Sequence, residues 1–399
     1  MGTTFDPLSE AKEIREQLGS DRRRLILLCG AGTSQAVGID GIAELSAHVK
    51  AVLSGTQQEH YDRIVAELGT DSVEVVLGRL RLCGELVGSS TTAEVNGFVG
   101  QEAVEMDRAV CRAIYNLVSI DPPKGLKAHA EFAAWMNSIQ REYAVEVFTT
   151  NYDLIIERGL EVAEVPYFDG FVGSVNPYFA SAGIEMLDSD GAGRIPTTWM
   201  RLWKLHGSIG WRRAKEAITG AEKVIRTAVV PTDSDDLMIF PTRDKYSESR
   251  RMPFVAFHDR LRRLTAEGES LLLVLGYSFG DQHINEILYS SLRANNRLAC
   301  TVFLYESLDS AKMNERLVKP TTGIQNLTIY SPDKAMIGGV LGEWTKPPKP
   351  PDGVDAWPFW DEIAGRFSLG DFANVPSFLN LFIGARPLAG VPSAAAPET

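Results

Sequence analysis

Three polar residues stand where short strand-like runs end. Asn151 and Asp153 lie in Thr149-Thr-Asn-Tyr-Asp153, after Ala144–Phe148, and His206 lies in Leu205-His-Gly-Ser208, after Trp199–Leu205. A histidine can take a proton near neutral pH, and an amide or carboxylate beside it can hold a nucleophile or a leaving group. Plainer roles are open to each: His206 as a hydrogen-bonded strand-end histidine, Asn151 as a helix cap, Asp153 as an acidic first-turn residue. Two glycine turns accompany them. Gly30-Ala-Gly-Thr-Ser34 follows Leu25–Leu28, and Gly276-Tyr-Ser-Phe-Gly-Asp281 follows Leu271–Leu275. A strand, a glycine turn and a helix bring free N–H groups and a helix dipole to one point, which suits a pyrophosphate or serves only as a tight connection. Gly30-x-Gly32 runs on to Gly38 and does not complete the usual dinucleotide spacing.

The elements that must position these residues alternate. Helices are expected at Ser9–Leu18, Gly41–Leu53, Leu126–Met136, Leu154–Val162, Met252–Leu264 and Gln282–Leu292; strands at the runs above, at Leu237–Phe240 and, last, at Ala299–Tyr305. Such alternation predicts an α/β fold with a doubly wound, Rossmann-like parallel sheet, whose strand ends converge on one crevice. The block from Gln57 to Ser119 is too long for one crossover and predicts a helical insertion lobe, taken as residues 57–140 of a nucleotide-binding domain spanning 1–320. Pro166–Pro196 reads as an irregular flap. From Thr321 the character changes: Pro347–Pro351 is a semi-rigid linker, and residues 321–388 form an apolar tail that packs on its own body or docks a partner. Residues 389–399 read as disordered.

Composition narrows the classes. The chain has 399 residues, 44% hydrophobic and 23% charged, with a formal net charge of −12, which argues against a broad nucleic-acid footprint. Apolar runs fall short of the ~18 residues of a membrane helix, and the N-terminus lacks signal-peptide features, so a cytoplasmic protein is expected. Cys29, Cys83, Cys111 and Cys300 are too scattered for a disulfide framework or a zinc cluster.

Taken in order, Gly-Ala-Gly-x-Ser-x-x-x-Gly-Ile, Thr-x-Asn-x-Asp, Leu-His-Gly-Ser and Gly-x-Ser resemble the sirtuin-type NAD-binding fold over most of Leu25–Glu306. In detail they are similar to the bacterial sirtuin-like branch of anti-phage defence. The resemblance implies that Gly30, Ala31, Gly32, Thr33 and Ser34 line the NAD pyrophosphate. It makes Asn151 the holder of the nicotinamide ribose or the attacking water, Asp153 the contact of the carboxamide and His206 the general base. Gly276, Tyr277 and Ser278 fall on the phosphate and adenine-ribose side. Departures matter too. Tyr277 replaces the family's Thr, and Tyr305 an adenosine-contacting Asn. Asp40-Gly-Ile-Ala43 replaces Pro-Asp-Phe-Arg, and no cysteine lies between His206 and Gly276, so the zinc module of the deacylases is expected to be absent.

These features together predict an NAD+ hydrolase that releases nicotinamide and ADP-ribose, with NAD+ as substrate and no metal. The resemblance implies a toxic effector of anti-phage defence, held in check by homo-oligomerisation or by a HerA-type hexameric ATPase, with no membrane contact and with nucleic acid met only indirectly. The alternatives are an NAD- or ADP-ribose-binding regulatory subunit that does not hydrolyse and, with the zinc cysteines missing, a deacylase or ADP-ribosyltransferase.

Overall fold

A computed structural model describes residues 2–88, 90–185, 195–216, 220–232, 235–239 and 252–383. The expected 389–399 tail, and Phe240 at the end of one expected strand, lie outside the described residues. Ten strands form the central sheet: β1 (Thr4–Phe5), β2 (Arg24–Cys29), β3 (Glu146–Thr149), β4 (Tyr167–Phe168), β5 (Met200–Lys204), β6 (Ser270–Leu275), β7 (Leu298–Phe303), β8 (Leu327–Tyr330), β9 (Lys334–Ile337) and β10 (Val340–Trp344). Their order is β1-β10-β9-β8-β7-β6-β2-β3-β5-β4, parallel except for the antiparallel pairs β8/β9 and β9/β10. From β2 the chain moves to β3 and β5 on one side, then returns to β6, β7 and β8 on the other. The carboxyl ends of β2 and β6 therefore mark the switch point where open α/β sheets bind ligands.

Alternation along β2 serves both faces of the sheet, which explains an unbroken apolar run. Ile26 and Leu28 join Phe148, Trp203 and Val274 under the helices Phe254–Ala266 and Gln282–Ala294, while Leu25 and Leu27 face the opposite core with Val147, Leu202 and Leu273. Helices α1 (Pro7–Gly19), α2 (Ala31–Gln35), α3 (Ile42–Val52), α4 (Thr56–Leu68), α5 (Val73–Val87), α6 (Glu102–Val118), α7 (Lys127–Ser138), α8 (Ile155–Val162), α9 (Phe254–Ala266), α10 (Gln282–Ala294) and α11 (Val375–Ile383) flank the sheet or form the lobe. The lobe, α3 to α6, has its own core, seated on the body through Tyr152, Ile155, Ile209 and Ile239. Helix α7 falls within the range read as lobe, yet its Phe132, Ala133, Trp135 and Met136 pack against the sheet.

Two expectations, the last strand and the irregular flap, meet a different structure, and the apolar tail takes the first of the two placements read for it. Ala299–Tyr305 is not the last strand, because residues 327–344 add β8, β9 and β10. Gly342 in β10 leaves room for the N-terminus, since a Cβ there would meet Thr3 O at 2.8 Å, and β1 pairs alongside. The apolar segment beyond the proline run lies inside the protein: Phe359, Phe372, Phe378 and Leu379 are at most 2% exposed and belong to the core with Leu25 and Leu27. The expected flap contains β4 and the short strands Phe171–Val172 and Tyr178–Phe179. These last two join Gly207–Lys215, Glu222–Arg226 and Leu237–Ile239 in a second, antiparallel sheet.

Candidate active site

The two glycine turns meet backbone to backbone. Gly30 N donates to Leu275 O and Gly32 N to Gly276 O, both at 2.9 Å, and a Cβ on Gly32 would stand 2.7 Å from Gly276 Cα. Gly276 has φ +61°, in the left-handed region glycine tolerates. Thr33 N donates to Gly30 O, so N–H groups expected to cradle a pyrophosphate are already engaged within the protein. The glycines serve close approach of two loops. Gly30, Gly32, Thr33 and Gly276 form the layer beneath the floor of a cleft of about 1450 Å³, whereas Ala31, Ser34, Tyr277 and Ser278 line it.

Asn151, Asp153 and His206 also line this cleft, brought together from the ends of β3 and β5. Asn151 is 6% exposed. Its Nδ2 donates to Gly30 O at 3.1 Å, Thr33 Oγ1 at 3.1 Å and Ser34 Oγ at 2.9 Å. Gly30 O can only accept, which fixes the amide's orientation, and three acceptors saturate two hydrogens. Asn151 Oδ1 takes no hydrogen bond from the described residues and is left as an acceptor on the cleft side. Asn151 is thus no cap for α8; it grips the first glycine turn. Asp153 serves the start of α8, where its Oδ1 accepts from Ile155 N at 3.0 Å, and its Oδ2 accepts from Ser34 Oγ at 2.8 Å. Behind it, the buried Lys204 ammonium donates to Asp153 O and lies 2.8 Å from Glu157 Oε1.

His206 is 5% exposed at the turn after β5. Gly207 follows with φ +80°, and a Cβ there would overlap Met238 O, which is why the histidine is succeeded by glycine. His206 Nε2 lies 2.9 Å from Asp281 Oδ2. Burial alone would raise the Asp281 carboxyl, but the hydrogen bond and charge of His206 and the N–H groups of Ile284 and His283 outweigh it and hold it well below the usual carboxylate range. His258, on α9, donates from Nδ1 to Phe254 O at 2.9 Å; burial lowers its pKa, favouring the neutral ring. Arg262, Arg293, Lys312 and Arg316 also line the cleft, with Arg316 Nη1 3.5 Å from Ser278 O.

The sequence reading missed Asp281 as a partner of His206, and missed His258 and the four cations. Asp281 precedes a readable helix and signals an N-cap, but its meeting with a histidine 75 residues away leaves no local trace. Among the described residues, no group of three or more His, Cys, Asp or Glu is arranged to hold a metal ion, and no helix is long and apolar enough to cross a membrane.

Comparison with known proteins gives a family match over part of the chain: residues 145–325 match the model of a SIR2-like domain. No curated protein matches. Among solved structures, a Sir2 homologue–NAD complex shares 15% identity over 82% of this chain and 90% of its own, with a TM-score of 0.35. An ADP-ribose complex of a mutant Sir2 homologue shares 15% over 75% and 86%, TM-score 0.34, and a Sir2 bound to acetylated peptide 13% over 76% and 89%, TM-score 0.37. The family match and the doubly wound, mostly parallel sheet make the fold one of sirtuin type.

Proposed function

We propose that this protein hydrolyses NAD+ to nicotinamide and ADP-ribose in the cleft at the β2/β6 switch point. The observation that carries the reading is that Asn151 and His206, with Ser34 and Asp153, line that one cleft, Asn151 and Asp153 both bonded to Ser34. The cleft's volume, about 1450 Å³, admits a dinucleotide, and Arg293 and Arg316 supply positive charge for a pyrophosphate, whereas Arg262 and Lys312 pair with Asp259 and Glu306 and the N–H groups of Gly30, Gly32 and Thr33 are engaged within the protein. In NAD+ the nicotinamide is a cationic leaving group, so breaking its glycosidic bond passes through an oxocarbenium-like state. Asn151 Oδ1 accepts a hydrogen from the attacking water and orients it. His206 takes the water's proton as its oxygen bonds to the sugar, nicotinamide leaves neutral with the bonding electron pair, and the proton passes on to solvent. Asp153 holds Ser34, and through it Asn151, in register.

Purified wild type and His206→Ala are incubated with NAD+, and nicotinamide and ADP-ribose are separated chromatographically, with NAD+ affinity measured by calorimetry. Wild type is expected to release both products in equal amounts, and His206→Ala to be at least about 100-fold slower with affinity within a few-fold. Equal rates for the two proteins would remove His206 from the chemistry. Binding without release by either would favour a regulatory NAD-binding subunit.

A further inference from the structure

We propose that Asp281 is a positioning residue for His206, fixing which ring nitrogen carries the proton and balancing the charge the ring acquires when it takes a second one. The inference rests on the reading of His206 as the proton acceptor and adds the group that prepares it. A carboxylate only accepts, so the contact at 2.9 Å makes Nε2 the protonated nitrogen of the resting ring. The Asp281 carboxylate is itself held rigidly. Its other oxygen, Oδ1, accepts from His283 N at 2.7 Å and Ile284 N at 3.2 Å, which ties it to the first turn of α10.

The turn that delivers Asp281 carries backbone strain. Phe279, a bulky residue, has φ +52°. Such a conformation persists only where its surroundings over-determine it, and ligand clamps are where it collects. Here the clamp is visible: Asn285 Nδ2 donates to Phe279 O at 2.9 Å, and Tyr277 donates from its hydroxyl to Asn285 Oδ1 at 3.0 Å. The Phe279 ring is 2% exposed, 4.9 Å from the Tyr277 ring. A turn bent at that cost ends on a carboxylate aimed at a histidine from the opposite side of the switch point. Capping α10 needs only Oδ1; Oδ2 is left for His206.

Asp281→Asn keeps cap and reach while removing the charge, Asp281→Ser keeps the cap but is too short for His206, and Asp281→Glu keeps the charge. Melting curves of Asn and Ser variants are expected within a few degrees of wild type, since both residues cap well. With NAD+ as substrate, Asp281→Asn and Asp281→Ser are expected to lower kcat on the order of 100-fold with KM within about threefold, and Asp281→Glu to recover part of the loss. Long-range proton–nitrogen NMR of histidine-labelled protein, with His206→Gln for assignment, gives a readout apart from activity. Wild type should show one His206 tautomer, protonated at Nε2, and Asp281→Ser a mixture. Values of kcat within threefold of wild type for both the Asn and Ser variants, or an unaltered tautomer in Asp281→Ser, would overturn the proposal. Should wild type itself leave NAD+ intact, the hydrolase reading falls and the spectra alone decide for or against Asp281.

Discussion

At the scale of single residues, His129 is a group the chemistry does not use. It is 3% exposed in α7, 4.7 Å from the Phe372 ring, and neither ring nitrogen has a hydrogen-bond partner among the described residues. Burial pushes its pKa down to about 3, against an ordinary histidine value near 6.5. Between those values the unfolded chain binds a proton that the folded chain refuses, so stability falls as pH drops below about 6.5 and the loss continues toward 3. His129→Leu removes this penalty. Urea denaturation at pH 6.5 and pH 5 should show wild type losing about 1.6 kcal/mol more than the variant over that interval. An equal loss in both would mean the ring finds a partner. Asn151 teaches the complementary lesson about legibility. Its type and place after a strand mark it in the sequence, but the direction of its amide is set by Gly30 and Ser34, more than a hundred residues earlier.

At the scale of elements, β5 and α8 are joined under the site by the Lys204–Glu157 pair, with side chains 3% and 11% exposed. Burial raises the Glu157 carboxyl against the opposing pull of Lys204, and Glu157 Oε2 has no partner of its own among the described residues. Lys204→Met should therefore cost about 3–5 kcal/mol in urea unfolding, because it strands a buried carboxylate, and adding Glu157→Leu should return much of the loss. A double variant no more stable than the single one would refute the pairing. Elements of this kind were readable where burial on both faces wrote a continuous apolar run, as in β2 and β6. Strands β8 to β10 escaped for a physical reason: each has four or five residues, two pairings are antiparallel, and the edge partner of β10 is residues 4–5, which no local window contains. The strand Gly207–Lys215 escaped because its glycines and arginines obscure the alternation, although residues 207–212 are buried.

At the scale of the whole molecule, the segment after the proline run completes the core on one face of the sheet. Trp357, Phe359, Phe367, Phe372, Phe378 and Leu379 pack there with Leu25, Leu27 and Trp135. Each large apolar side chain contributes roughly 1.5–3 kcal/mol on burial, so together they match the entire stability of an ordinary domain. A chain ended at residue 345 is expected to be insoluble or to bind hydrophobic dye without a cooperative melt. A soluble, cooperatively folding truncation would show the segment to be an appendage. The same packing bears on partners: Phe372, Phe378 and Leu379, in the tail read as packing on its own body or docking a partner, face inward.

The contact between Gly32 and Gly276 has a consequence for how this protein can change over generations. A side chain at either position collides with the backbone of the other loop, and Gly30 is held in the same way by Gly276 and Tyr277. No single substitution opens space for a second, so the three positions form a knot that random variation cannot untie one step at a time. Diversity in what the cleft accepts has to arise in its walls, on the lobe and along α9 and α10, while the seam below them stays fixed.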